Sequence, residues 1–274
     1  MIPEQKTDWG DVAEVRPHTI DARAVVDPGA ELGTDCTIGP YAVIGAGVRL
    51  GPGCYVYPHA VVSGPTIMGP DNIVHSFACL GGPPQDLRYH GEDTLLVVGR
   101  GNTFREHVTV NRGTTHGGGV TRLGDDNLLM AYCHVAHDCT IGNHNVLANF
   151  ATLAGHATVE DHVVFGGMVA VGAFLRIGES AMLAAGAMVD REVPPFCLVG
   201  GDRARLKGIN RVGLMRRGLS AESRREIRDV GRALREKGRP LKDILAQFES
   251  RAHLTPEATR MLVFLRGVSR GLIR

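Results

Sequence analysis

From Leu123 to Val189 an apolar residue returns at every sixth position without a slip: Leu123, Leu129, Val135, Ile141, Leu147, Leu153, Val159, Phe165, Val171, Ile177, Leu183, Val189. An α-helix repeats every 3.6 residues and a strand every 2, so a strict period of six specifies a solenoid of hexapeptides. Three hexapeptides close one triangular coil of eighteen residues. Each inward side chain then rests on its counterpart eighteen residues later, about 4.8 Å along the axis. The expected fold is mainly β, a left-handed parallel β-helix. The same beat runs earlier through Ile20, Val26, Leu32, Ile38, Ile44, Leu50, Val56, Val62, Met68, Val74 and Leu80, and again at Val98, Phe104 and Val110. All of these apolar residues are expected in the core.

The beat breaks twice before the central series, at Gly82 to Thr94 and at Arg112 to Gly119, which predicts external loops near residues 82–95 and 112–122. Insertions in a solenoid project from one face and often carry function. Neither Gly99-Arg100-Gly101 nor Gly117-Gly118-Gly119 sits between a strand and a helix, so a dinucleotide-binding loop is not indicated. Val193-Pro194-Pro195 ends the solenoid, because proline cannot donate to a sheet ladder. Beyond about Leu206 the period becomes helical. Ser220 is a cap for a helix through Ile227, Val230 and Leu234, Pro240 permits a second start, and Thr255-Pro256 opens a third helix carrying Met261, Leu262 and Leu265. Two domains follow: residues 1–200 form the β-helix and residues 201–274 a basic α-helical domain.

The 36 glycines and 5% aromatic content suit a narrow prism in which glycine supplies positive φ at the turns. Net charge is only +1, yet residues 201–274 hold 19 Lys and Arg against 8 Asp and Glu, a surplus of eleven positive charges. That asymmetry fits either solvated helix faces or a surface that docks an acidic partner. Nucleic acid is not expected, because the tail offers only Phe248 and Phe264 for stacking. Cys36, Cys54, Cys79, Cys133, Cys139 and Cys197 form no CxxC pair and read as buried free thiols of a reducing compartment. Cys36 and Cys54 stand two residues before the inward Ile38 and Val56, in a slot for small inward side chains. Met1 to Pro17 includes Glu4, Asp8, Asp11 and Glu14 with no apolar run, unlike a signal peptide. No stretch of about 18 apolar residues exists. A cytoplasmic chain without an integral membrane segment is expected.

Cys133-His134-Val135-Ala136-His137-Asp138-Cys139 and Leu153-Ala154-Gly155-His156 hold the densest set of proton-transfer groups. Eighteen-residue stacking puts His137 under Gly155 and Asp138 under His156. His137 follows the inward Val135 by two positions, so its imidazole reaches a cleft and can act as a general base near neutral pH. Asp138 can orient it or hold its proton. Gly155 can aim a backbone N–H at a developing oxyanion with no side chain in the way. A base and an oxyanion donor without a nucleophilic elbow motif point to direct acyl transfer, with no cofactor and no metal. The competing use of His134, His137 and His156 is zinc held between subunits, similar to γ-class carbonic anhydrases, though that family is shorter and lacks the basic helical tail.

Over Ile20 to Arg274 the chain resembles the acyl-[acyl-carrier-protein]:UDP-N-acetylglucosamine O-acyltransferase family of lipid A synthesis. The specific segments are Gln85-Asp86-Leu87-Arg88-Tyr89, Arg112-Gly113-Thr114, Gly117-Gly118-Gly119, Asp126-Asn127-Leu128-Leu129-Met130, the two histidine segments above, Val193-Pro194-Pro195, Leu214-Met215-Arg216-Arg217-Gly218 and Arg270-Gly271-Leu272-Ile273-Arg274. The resemblance implies a homotrimer with sites in clefts between neighbouring β-helices, His137 as base and Gly155 as oxyanion donor. Gln85 belongs to the substrate-binding segment, Asp86 and His156 contact the glucosamine, and His134 helps hold the sugar nucleotide. Arg88 stands where the family usually has lysine, and Asn210, Arg216 and Arg217 match residues that meet the uridine and phosphates. The acidic partner becomes acyl carrier protein.

Two departures bear on specificity. The family's Ala-Val-His-Gln-Phe reads Ala170-Val171-Gly172-Ala173-Phe174 here, removing two polar groups from the cleft. Ala185 stands at the position that limits the acyl chain, so Gly172, Ala173 and Ala185 are expected to shape the acyl pocket. The alternatives on the sequence alone are the same chemistry on a 3-amino sugar nucleotide, a catalytically silent carrier-binding paralogue, and the later N-acyltransferase of the pathway, which carries an extra uridine-binding domain.

Overall fold

The computed structural model describes residues 19–274, so the reading of Met1 to Pro17 lies outside the described residues. Each hexapeptide forms a strand of about two residues followed by a turn. In Thr152–Leu153, threonine faces out and leucine faces in, and Leu153 pairs in parallel with Val135 below and Val171 above. Among the described residues, repetition generates three sheets of eleven, nine and eight strands. They begin at Thr19–Ile20, Val25–Val26 and Glu31–Leu32, and the chain visits them cyclically as a left-handed parallel β-helix.

Insertions change the spacing of partners without breaking the ladder. Cys79 pairs with Thr109, thirty residues on, and Thr109 with His134, twenty-five on. The extra residues leave from the edge between the second and third sheets. Strands resume at Leu95–Val98 and Val120–Leu123, so both loops end slightly before the positions expected from the sequence.

From Ile38 to Val189 every inward residue of the six-residue series is at most 4% exposed. Ile20 departs from the expected core position: it is 46% exposed, because no described strand lies beneath the first coil. The corners also differ from expectation. Non-glycine residues including Tyr41, Asp126, Asp138, His156 and Phe174 adopt φ near +60°. Left-handed backbone costs an L-residue roughly 1–2 kcal/mol. The ladder offsets this, since corner amides donate to the coil below, as His156 does to the His137 carbonyl at 3.0 Å.

The slot occupied by Cys36 and Cys54 continues upward as buried Asn72, Asn102, Asn127 and Asn145. Asn127 Nδ2 donates to Asn102 Oδ1 at 2.8 Å and to the Gly142 carbonyl at 3.0 Å, while its Oδ1 accepts from Asn145 N at 2.9 Å. The thiols make the same kind of bond, Cys54 Sγ to the Gly69 carbonyl at 3.3 Å. Cys79 departs from the buried set: it precedes the inward Leu80 and is exposed.

The sheet outlasts the boundary expected at residue 200. Cys197–Gly200 pairs antiparallel with Arg205–Ile209 before the helices begin. A short α1 (Arg211–Arg216) was not signalled by periodicity. The expected three helices are α2 (Ala221–Leu234), α3 (Leu241–Glu249) and α4 (Pro256–Arg266), with Ser220 and Thr255 as side-chain caps of α2 and α4. Ile227, Val230 and Leu234 form the buried stripe of α2. Arg260 of α4 reaches Glu179 of the β-helix at 2.7 Å.

Asn127→Ala would leave a buried amide and two carbonyl oxygens short of partners, each costing about 1–3 kcal/mol. The variant is expected to lose at least about 2 kcal/mol in chemical denaturation. An unchanged midpoint would show that the asparagine column contributes nothing to stability.

Candidate active site

His137, Gly155 and Gly172 fall on one edge of the prism, between the second and third sheets, in three successive coils. Both insertions leave from this same edge. The ladder, not the loops, therefore fixes where the chemistry-bearing residues meet.

His137 Nδ1 lies 2.8 Å from Asp138 Oδ2. An ionised carboxylate only accepts, so Nδ1 carries the proton and Nε2 presents its lone pair to the cleft. The Asp138 side chain is fully buried. Its Oδ1 accepts from Thr114 N at 2.9 Å, and its Oδ2 also accepts from Thr114 Oγ1 at 2.6 Å. Thr121 Oγ1 accepts from Asp138 N at 2.8 Å. The second insertion closes over this carboxylate. A Cβ on Gly117 would stand 2.1 Å from Asp138 Cγ, so only glycine fits there.

Gly155 covers the His137 ring, and a Cβ on it would approach His137 Cε1 to 2.6 Å. The amide of His156 is spent on the ladder, but that of Gly155 donates to no group among the described residues. It is available as an oxyanion donor.

The first insertion brings Asp86 Oδ2 to 4.0 Å from His137 Nε2. Arg88 pairs with Asp86 at 2.7 Å and holds its carboxyl below the usual carboxylate range. Gln85 is exposed on the same loop. Arg112 fastens this loop to the coil, donating to the Gly64 and Gly81 carbonyls and to Tyr89 Oη. His134 lies in the second sheet, its Nδ1 2.7 Å from Thr109 Oγ1. His156 meets the His137 ring edge-on at 5.2 Å and stands 3.7 Å from Asp138 Oδ2. His137, Asp138 and His156 present metal-ligand atoms within 4.8 Å of one another; His134, the third histidine of the zinc reading, is not in that group.

Other expected site residues lie elsewhere in the single chain. Gly172 and Ala173 stay on the His137 edge, one coil above Gly155, but Ala185 turns the corner between the first and second sheets. Asn210 and Arg217 gather at the third edge. Asn210 Nδ2 donates to the Ser180 carbonyl at 2.9 Å, and Arg217 Nη1 pairs with Glu179 at 2.7 Å and with Ser180 Oγ. Arg216 is exposed beside them on α1. Thr109, Thr114 and Thr121 also contact site residues, and residue type does not point to them, because a threonine in a β-rich chain carries no distinctive signal.

Burial pushes His134 and His156 below the ordinary imidazole pKa of 6.5, in His156 against the pull of Asp138. Both imidazoles are therefore neutral at pH 7. The unfolded chain binds protons to them more readily, so their contribution to stability is present above pH 6.5 and lost as pH falls. Ring NMR signals of both are expected to titrate below free imidazole, and protonation of either above it would contradict this assignment.

Residues 192–273 match the family model "Udp N-acetylglucosamine O-acyltransferase; Domain 2", and residues 121–155 match "Bacterial transferase hexapeptide (six repeats)". An acyl-[acyl-carrier-protein]--UDP-N-acetylglucosamine O-acyltransferase of Paracidovorax citrulli is 52% identical over 90% of this chain and 95% of its own. The enzyme of the same description from Neisseria meningitidis serogroup B is 49% identical over 93% of this chain and 99% of its own. The solved LpxA of Acinetobacter baumannii superposes with a TM-score of 0.90 at 35% identity, covering 92% of this chain and 98% of that one. With fold, edge and relatives in agreement, the chain belongs to the acyl-[acyl-carrier-protein]--UDP-N-acetylglucosamine O-acyltransferase family.

Proposed function

We propose that this chain transfers a 3-hydroxyacyl group from acyl carrier protein to the 3-hydroxyl of UDP-N-acetylglucosamine, the first step of lipid A biosynthesis. The observation that carries the mechanism is the 2.8 Å contact between His137 Nδ1 and the buried Asp138 carboxylate. It leaves Nε2 to take the proton of the sugar hydroxyl while that oxygen attacks the thioester carbonyl carbon. Negative charge moves to the carbonyl oxygen, where the Gly155 N–H stabilises it. Collapse breaks the carbon–sulfur bond, and the proton on Nε2 passes to the departing thiolate of the carrier. Asp86, 4.0 Å from Nε2, and His156, edge-on to the His137 ring, orient the glucosamine. No protein nucleophile is needed.

The working unit in this reading is a homotrimer. Asn210 and Arg217 support a nucleotide site on the third–first edge, while His137 lies on the second–third edge. One substrate reaches both only if a second copy supplies the other edge. The remaining edge carries stacked rings of Tyr41, His59, Phe77, His107, Tyr132 and Phe150, with centroids 4.7–5.4 Å apart along the column. Tyr41, Phe77, Tyr132 and Phe150 are each about half exposed, an apolar stripe that association would cover. Three prisms with this edge turned to a common axis place the His137 edge of one copy beside the Asn210 edge of the next. Ala185, near the axis in that arrangement, then lies toward the inner end of the cleft.

Docking of an acidic acyl carrier protein is supported on the helical domain. There a cleft of about 180 Å³ is lined by Arg211, Arg224 and Arg228 around Leu214 and Met215. Met215 is 60% exposed. Basic groups around an apolar floor suit an acidic surface that also presents apolar side chains.

His137→Ala is expected to leave the fold intact and lower acyl transfer by at least about 10²-fold, the lower range for loss of a general base. The readout is mass spectrometry of UDP-N-acetylglucosamine with carrier thioesters, and wild-type turnover would remove His137 from its role. A chelator should leave turnover unchanged. Activity lost to chelation and restored by zinc would favour the metal reading.

A further inference from the structure

The corner that carries Asp138 and His156 continues one coil higher to Phe174, and all three residues adopt left-handed backbone, with φ of 59°, 63° and 63°. The Phe174 ring stacks on His156 with centroids 4.3 Å apart and planes within 7°. The Arg270 guanidinium lies 5.1 Å from the centroid of the same phenyl ring. Arg270 belongs to the C-terminal segment, and that segment is firmly attached. Glu192 is completely buried, and its Oε1 accepts the backbone N–H groups of Ser269 and Arg270, both at 2.9 Å. Glu192 N donates to the Gly271 carbonyl at 2.8 Å, and Ile273 N to the Glu192 carbonyl at 2.9 Å.

No hydrogen bond fixes the His156 ring among the described residues. Its Nε2 stands 3.7 Å from Asp138 Oδ2, and its contact with His137 is edge-on at 5.2 Å. Rotation of an imidazole about its terminal bond is broad and soft unless something holds the plane. Here the face-to-face contact with Phe174 is the constraint. A guanidinium over a half-exposed phenyl ring holds that ring in turn.

We propose that Arg270 is a positioning residue: acting through Phe174, it sets the plane in which His156 meets the acceptor sugar beside His137. This rests on the reading of His156 as a sugar contact. The effect should therefore appear in acceptor binding and leave the base and the acyl donor unaffected.

The test uses the full-length enzyme with Arg270→Ala, Arg270→Lys, Phe174→Leu and the double variant Phe174→Leu with Arg270→Ala. Arg270→Ala and Phe174→Leu should each raise KM for UDP-N-acetylglucosamine about five- to tenfold, with kcat and KM for the carrier thioester nearly unchanged. Residues acting in series are non-additive, so the double variant should be no worse than Phe174→Leu alone. Lysine retains a cation for the ring, so Arg270→Lys should recover most of the loss. The His156 ring NMR signal should move in both single variants while the melting temperature stays put. Unchanged acceptor KM in both variants, fully multiplicative effects in the double variant, or a loss that merely tracks a fall in melting temperature would each overturn the proposal. Should Arg270→Ala fail to fold, Phe174→Leu alone decides, because that ring is 49% exposed and outside the core. A wild-type enzyme with no turnover on this acceptor would instead refute the proposed function.

Discussion

The parallel hydrogen-bond ladder between one coil and the next is the constraint on which everything else rests. Most strands have only two residues, too few to persist alone, and gain stability from the strands paired with them in adjoining coils. Because those partners are fixed in sequence, the ladder converts a count of residues into a position in space. His137 and Gly155 meet because Val135 pairs with Leu153. The same bonds hold left-handed corners in residues that would otherwise avoid them. Rings can therefore stand on edges where glycine was expected, and both the aromatic column and the Asp138–His156–Phe174 corner depend on it.

Buried polar groups follow the same logic. An asparagine in the inward slot would be costly alone, yet Asn72, Asn102 and Asn127 satisfy one another and the turn carbonyls of adjoining coils, and the column ends at Asn145, whose Oδ1 accepts from Val163 N while its Nδ2 has no partner among the described residues. Asp138 is treated similarly, its buried carboxylate receiving the Thr114 amide and hydroxyl before it meets His137. The charge that orients the His137 imidazole is thereby stabilised by the protein itself and needs no solvent.

The architecture was legible in the sequence because its code is one-dimensional. A period of six identifies the core, and addition of eighteen pairs His137 with Gly155 and Asp138 with His156. Where the chain leaves that period, the arithmetic ends. Thr114 and Gly117 reach Asp138 from an insertion whose path no repeat encodes. The small α1 has too few residues to show periodicity, and the hairpin at Cys197–Ile209 runs antiparallel, outside the repeat. Position within the coil puts His137 and Ala185 on different edges, whereas Asn210 lies beyond the repeat and its edge is set by the hairpin and α1. The three residues therefore stand on three different edges.

The separation is the centre of the account, since under the proposed trimer two copies build one site. Subunit mixing tests it directly: His137→Ala chains and Arg217→Ala chains, each weakly active alone, are denatured together and refolded at equal amounts. If the site joins the His137 edge of one copy to the Arg217 edge of its neighbour, random trimers regain roughly one quarter of wild-type sites, because a quarter of the interfaces pair two intact edges. Recovery to about that level is the predicted result, and mixed trimers no more active than the two parents would contradict it.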